Sequence, residues 1–278
     1  QRASSPATAN PPARPPPRYS AMGAANCASP APQADQSAFA GQGAMTPAQE
    51  VMGPVQKIMI KEKVSMLEAA TALLGQEIEM ANKYSVTDGY GNQLFYAVEE
   101  TDCCTRQLKN CMKDCAPFKV NILNTSGGGS QPGFFMEKGW SFTCCCINRP
   151  RVQVKDISSG GEMILGTIHD PCTCLALNFS VYDDDGNPVA TADGGCCQWG
   201  MCCPFPCGPC AKVEFKLLDG NSNEVGMLTK KIPGFCKFFL SPDVDNYHVD
   251  FGDNVDAKTK ALFLALAIFM DFQHFSDN

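Results

Sequence analysis

The feature that most constrains this chain is its last apolar stretch, Ala257 to Phe275 (AKTKALFLALAIFMDFQHF). Ala261, Leu262, Phe263, Leu264, Ala265, Leu266, Ala267, Ile268, Phe269 and Met270 follow one another without a polar residue. All but the Ile and Phe among them are strong helix formers. A helix built this way is apolar on every side rather than along one stripe, so it is either enclosed by protein or sunk in lipid. Length and charge favour enclosure. Counted to Phe275, about 15 residues at 1.5 Å each cover roughly 22 Å, against a hydrocarbon core of roughly 30 Å. Asp271, Gln273 and His274 sit inside its last turns, and a charge in mid-bilayer is costly.

The remainder of the chain supplies an enclosure. Tyr84–Asp88, Phe118–Leu123, Val152–Ile157, Phe179–Tyr182, Val213–Leu218 and Tyr247–Phe251 each alternate apolar and polar residues. The first five run into turns rich in Gly, Asn and Asp: Asp88–Asn92, Ser126–Gly129, Ser159–Gly161, Asp183–Asn187 and Asp219–Asn221. A return strand after each such turn is the hairpin signature. The starts recur at a near-constant spacing, which makes the hairpin an internal repeat. With Phe235–Leu240 as partner of the sixth segment, the expectation is roughly twelve antiparallel strands, a number that tends to curl and close. The expected fold is therefore mainly β: a closed antiparallel barrel whose lumen, too wide for its own side chains, holds the terminal helix. A propeller would need about four strands per blade and fits the repeat less well.

Composition narrows the class. The chain has 278 residues, 44% of them hydrophobic, and a net charge of −7. Such a balance argues against general nucleic-acid binding, which favours a basic footprint. No run of 18 apolar residues exists, so a polytopic channel is not expected. No apolar segment of signal type follows Gln1. The 17 cysteines come as adjacent sets, Cys103-Cys104, Cys144-Cys145-Cys146, Cys196-Cys197 and Cys202-Cys203. An odd total in adjacent sets fits a reducing setting better than an extracellular disulfide framework.

Residues 1–46 are Pro, Ala, Ser and Gln with almost no large aliphatic side chain, too little apolar surface to fold. The domain proper is expected over residues 47–278. The tail carries a PxxP (Pro12 to Pro15) and a PPxY (Pro16, Pro17, Arg18, Tyr19). Segments of this kind adopt polyproline II and dock on SH3 and WW domains, though the same composition also describes a plain solvated linker. Val55–Val64 reads as a first strand. Ser65–Leu74 reads as a short helix with a capping box from Ser65 and Glu68 and a stop at Gly75.

Several runs closely resemble the phospholipid scramblase family: Asn82-Lys83-Tyr84, Glu99 to Arg106 (EETDCCTR), the triple cysteine 144–146 and His169-Asp170-Pro171-Cys172. Asp243 to Tyr247 (DVDNY) and Asp256 to Ala261 (DAKTKA) match as well. The resemblance covers about residues 55–275 in order. It implies a tubby-like barrel of about twelve strands around a C-terminal hydrophobic helix, in agreement with the hairpin reading. It also implies a Ca²⁺ site with ligands at alternate positions: Asp243, Asp245, Tyr247, Val249, Phe251 and Asn254. As an EF-type loop this segment departs from the pattern, with His248 where Gly is required and Asn254 where a bidentate Glu is required. The alternation of Tyr247, Val249 and Phe251 reads equally as a strand facing the core. The resemblance further implies palmitoylation at Cys144, Cys145 and Cys146, here without the second cysteine pair. Trp140 and Phe142 beside them are of the type found at membrane interfaces. Buried thiols packed as small apolar residues are the alternative.

Cys207-Gly208-Pro209-Cys210, with the pairs 196–197 and 202–203 upstream, offers one clean CxxC arm for Zn²⁺ where two are usual, and unmodified or acylated loop thiols are the other reading. No GxSxG, HExxH, GxGxxG or Walker loop occurs, so bond chemistry is not expected. The function that the resemblance implies is a calcium-responsive phospholipid scramblase at the cytoplasmic face of a membrane, with the plasma membrane favoured. Its partners are phospholipids and the membrane surface, with oligomers compatible. In this reading the helix inserts and thins the bilayer while Lys258 and Lys260 contact anionic headgroups. The alternative is a lipid-anchored tubby-like adaptor recruiting SH3 or WW partners without scrambling.

Overall fold

The structure, a computed structural model, describes residues 45–63, 82–102, 104–105, 115–143, 147–173, 176–196, 198–202, 208–232 and 243–275. All of these belong to the compact unit Ser37–Asn278. After a short helix α1 (Pro47–Met52) come β1 (Lys57–Lys63), β2 (Lys83–Asp88), β3 (Gln93–Glu99) and β4 (Phe118–Asn124). Next are β5 (Gln131–Lys138), β6 (Arg151–Asp156), β7 (Met163–His169) and β8 (Ala176–Asp183). The strands end with β9 (Pro188–Cys196), β10 (Lys212–Asp219), β11 (Glu224–Lys231) and β12 (Asp243–Phe251), and helix α2 (Ala257–Met270) follows. Each strand pairs with its sequence neighbours and β1 pairs with β12, closing the twelve described strands into one barrel.

Alternation decides which way each strand faces. In β4, Phe118, Val120 and Ile122 are buried while Lys119 is exposed. In β6, Val152 and Val154 are buried while Arg151 is exposed. A one-residue slip would turn such a set outward, so the hydrophobic pattern itself specifies register. The closing strand differs from expectation. Tyr247–Phe251 is flanked by β1 on one side and β11 on the other, so β1 completes the dozen. Phe235–Leu240 and the Ser65–Leu74 segment lie outside the described residues.

Antiparallel order sends the connections alternately to two ends. One end carries the turns β2–β3, β4–β5, β6–β7, β8–β9 and β10–β11, together with the β12–α2 link and α1. Three of these turns repeat one hydrogen-bond scheme. Asp88 Oδ1 accepts from the amides of Tyr90 and Asn92, at 2.9 and 2.8 Å, and Oδ2 accepts from Asn92 Nδ2 at 2.8 Å. Asn187 gives Asp183, and Asn223 gives Asp219, the same pair of amide and side-chain bonds. The residue before each Asn has a left-handed backbone, Gly91 (φ 91°), Gly186 (φ 85°) and Ser222 (φ 64°), which Gly tolerates best. The other end, called the long-connection end, carries the longer connections β1–β2, β3–β4, β5–β6, β9–β10 and β11–β12 together with the short β7–β8 link.

Helix α2 starts at the tight-turn end, capped by Asp256, whose side chain accepts from the Thr259 amide at 3.2 Å. It runs about 21 Å through the lumen. Every residue from Lys260 to Met270 is buried, and Phe263 through Met270 are wholly inaccessible. Around it stand Phe118, Phe179 and Phe251 from the wall, with Phe179 edge-on to Phe269 at 5.9 Å and Phe251 stacked on Phe263 at 6.4 Å. Seven large side chains buried on one helix contribute on the order of 10–20 kcal/mol of gross transfer free energy, an upper bound for an extended reference chain. Truncating one of them leaves a hole that rigid strands cannot collapse to fill. Phe269→Ala is expected to cost about 3–5 kcal/mol, read as a lower denaturant midpoint with unchanged slope.

Candidate functional site

The helix ends on a charge held inside the barrel. Asp271 opens a π-helical turn, Asp271–Phe275, and is 1% exposed. Its Oδ1 accepts from Lys230 Nζ and from the Tyr247 hydroxyl, both at 2.8 Å, and its Oδ2 accepts from the Tyr84 hydroxyl at 2.7 Å. Lys230 also lies over the rings of Tyr247 and Phe275, at 4.4 and 4.6 Å. Burial, reinforced by the neighbouring Asp271 charge, holds both tyrosine hydroxyls well above their ordinary range. They therefore stay protonated and donate to the carboxylate. An unpaired buried charge is expensive, and here β2, β11 and β12 all converge to satisfy one. The arrangement ties the end of the helix to three separate strands.

A second clasp follows in the same turn. His274 Nε2 lies 3.3 Å from Asp170 Oδ2, and Arg149 donates to that same oxygen at 2.6 Å and to the Asp170 carbonyl at 3.2 Å. Asp170 is 2% exposed. Arg149, Asp170, Cys172, Leu177 and His274 line a cleft of about 150 Å³, well below the several hundred Å³ of a typical small-molecule site. Nearby, His169 packs on Tyr182 with ring centroids 4.4 Å apart. Burial first, and then the adjacent Arg151 charge, push its pKa down to about 4.

At the opposite end the two lysines expected to face headgroups are engaged within the protein. Lys258 pairs with Asp184. Lys260 is 4% exposed and donates to the Gly53 carbonyl at 2.7 Å, closing the last turn of α1. Burial lowers the Lys260 pKa, partly opposed by Asp256. α1 is pinned in turn by Thr46, which donates to the buried Asp156. Both lysines lie in the first turn of a helix that begins at the tight-turn end.

The six expected calcium ligands do not converge. Asp243, Asp245, Tyr247, Val249 and Phe251 lie along β12, and Asn254 in the turn beyond it. An extended strand of this length separates its ends by more than 25 Å. Tyr247, Val249 and Phe251 are buried in the lumen, and the Tyr247 hydroxyl is spent on Asp271. Among the described residues no three His, Cys, Asp or Glu side chains gather in metal-binding geometry. Cys144, Cys145 and Cys146, the tail motif (Pro12, Pro15, Pro16, Pro17, Tyr19), and Cys197, Cys203 and Cys207 of the zinc reading lie outside the described residues. Their flanks Thr143 and Ile147, and Cys196 and Gly208, stand at the long-connection end. Among the described residues no helix is long and apolar enough to cross a membrane.

The Asp271 cluster was not foreseen, yet it had a signal. Lys230 shares a strand face with Leu228, two residues back, so it points inward and needs an acid. Removing that acid strands a buried cation. Asp271→Asn is expected to cost about 3–5 kcal/mol, and Lys230→Met combined with it less than the sum of the two singles, a coupling read by a double-mutant cycle. For His169 the folded pKa lies below the unfolded one, so the unfolded state binds the extra proton. Its contribution is full above about pH 6.5 and is lost as pH falls towards 4. The stability difference between the parent and His169→Phe is expected to shift in favour of the variant between pH 7 and pH 5.

A family model described as Scramblase matches residues 37–277. Phospholipid scramblase 1 of Rattus norvegicus is 27% identical over 231 residues, which cover 82% of this chain and 62% of its own. Phospholipid scramblase 2 of Bos taurus is 27% identical over 231 residues, with 82% and 71% covered. Phospholipid scramblase 1 of Homo sapiens is 25% identical over 230 residues, with 82% and 66% covered. The chain thus spans less than two thirds of the rat and human proteins. No solved structure matches it. With the match running from before the first strand to the end of the buried helix, the chain belongs to the Scramblase family.

Proposed function

We propose that this protein moves phospholipids between the leaflets of a membrane, in a calcium-responsive manner and without making or breaking covalent bonds. The observation that carries the reading is the family match across the entire barrel and its helix. The cytoplasmic face of the plasma membrane is its proposed location. Palmitoylation of Cys144, Cys145 and Cys146 is the proposed anchor, since two acyl chains already give stable attachment. For Ca²⁺ the proposed ligands reduce to Asp243 and Asp245, where β12 begins at the long-connection end, because a strand cannot wrap six donors around one ion. A cation there would be shared with lipid phosphate oxygens, consistent with its preference for hard oxygen donors.

One observation favours a second reading. The apolar helix is enclosed along its length and tied at both ends, as suits a lipid-anchored adaptor whose tail recruits SH3 or WW domains. The two readings separate in liposomes carrying a labelled lipid in one leaflet. The first expects label exchange that rises with Ca²⁺ and drops severalfold in Asp243→Asn/Asp245→Asn. Exchange no faster than in empty vesicles, with or without Ca²⁺, would leave the adaptor.

A further inference from the structure

Apolar side chains stand exposed at both ends of the barrel, and charge distinguishes the ends. At the tight-turn end are Tyr90, Met163 and Ile164, at 95%, 44% and 42% exposure. There the connections between strand ends, and the β12–α2 link, contain Asp and Glu but no Lys or Arg. The flanking Lys155 and Lys258 are already paired, with Glu162 and Asp184. At the long-connection end are Trp140, Phe142, Ile147 and Trp199, at 51%, 72%, 71% and 64% exposure. Among the described side chains at this end, Lys63, Arg151 and Lys231 stand exposed at strand ends, as do the acids Glu100 and Asp102, and β12 also begins here with Asp243 and Asp245. An anionic surface is disfavoured by the first end and meets exposed Lys and Arg at the second.

The exposed groups at the second end are held in place. Thr143 Oγ1 donates to the Asn148 carbonyl at 3.0 Å, and Asn148 Nδ2 donates to the Phe142 carbonyl at 3.4 Å. Asn148 itself has φ 55°. These bonds close a knuckle with Phe142 at one foot and Ile147 at the other. Trp199 follows Gln198, whose side chain donates to the Gly194 and Glu214 carbonyls and accepts from the Glu214 amide at 2.8 Å. That side chain bridges β9 and β10 and sets Trp199 on the rim. Two connections thus present large apolar groups, two of them Trp, beside basic strand ends. Aromatic side chains of this kind favour the interface of a bilayer.

We infer that the long-connection end of the barrel docks on an anionic bilayer, with Phe142, Ile147, Trp140 and Trp199 entering the interface and the tight-turn end facing away. This rests on the proposal that the protein works at a membrane, and adds which face meets it. It also places the Asp271 and Asp170 clasps, which hold the end of α2, next to the lipid. Trp140 and Trp199 are the only two tryptophans in the chain, so intrinsic fluorescence reports on this end alone. The test is titration of the full chain with phosphatidylcholine vesicles containing about 30% phosphatidylserine, at low salt. The expected result is a blue shift of emission, quenching by brominated lipid, and binding weakened about tenfold or more in Phe142→Ser/Ile147→Ser. Tyr90→Ser, at the far end, is expected to bind as the parent does. Capture by vesicles with emission unchanged from water, or with the double variant binding like the parent, overturns the orientation and leaves the membrane reading standing. Vesicles that capture none of the parent protein overturn both.

Discussion

Water is kept from the terminal helix by the barrel, and from the barrel's lumen by the helix. A closed sheet of twelve strands encloses more space than its own side chains can fill, and a helix apolar on every face has no stable place in solvent. Neither element is stable without the other, so the fold cannot be assembled by halves. The same constraint explains the charged residues at the helix termini. Where the apolar run stops, Asp271 is still inside the wall, and a carboxylate there is tolerable only because Lys230, Tyr84 and Tyr247 meet it. Where the run begins, Lys260 is inside too, and reaches the carbonyl of Gly53, which caps α1.

The two ends of the cylinder divide the work. The turns at one end, three of them built on one Asp-to-Asn scheme, are short. Connections long enough to carry chemistry all emerge at the other end because antiparallel order sends every second link there. The Arg149–Asp170–His274 clasp, the Phe142–Ile147 knuckle, the Trp199 rim and the flanks of the triple cysteine share that end. A protein built this way meets a surface with one pole.

Lipid movement and a stored helix pull in different directions. Release of α2 would expose an apolar cylinder, break a buried ion pair with its two tyrosines, and empty the lumen. The wall would lose its packing in the same step. Helix release is therefore a change of the whole barrel rather than of a hinge, and a helix of about 21 Å would still fall short of the hydrocarbon core. The docking proposed for the long-connection end requires no such change.

Much of this fold is legible in the sequence. The strands beginning at Tyr84, Phe118, Val152, Phe179 and Val213 follow from period-two alternation, their turns from Asp, Asn and Gly, and the enclosed helix from a run too short and too charged at its end to span lipid. Those features are local, and local sterics and solvation decide them. Register closure was not local: both sides of Tyr247–Phe251 were available on paper, and only the circular order of strands gave them to β1 and β11. The same holds for the candidate site. Tyr247 and Phe251 suit either an ion or a core until the lumen claims them. Lys258 and Lys260 suit either headgroups or protein until the start of the helix sits among Asp184 and α1. Residue type and spacing say what a side chain is able to do; which partner reaches it first, 24 residues away for Tyr247 and Asp271 or 207 for Lys260 and Gly53, is a property of the closed barrel.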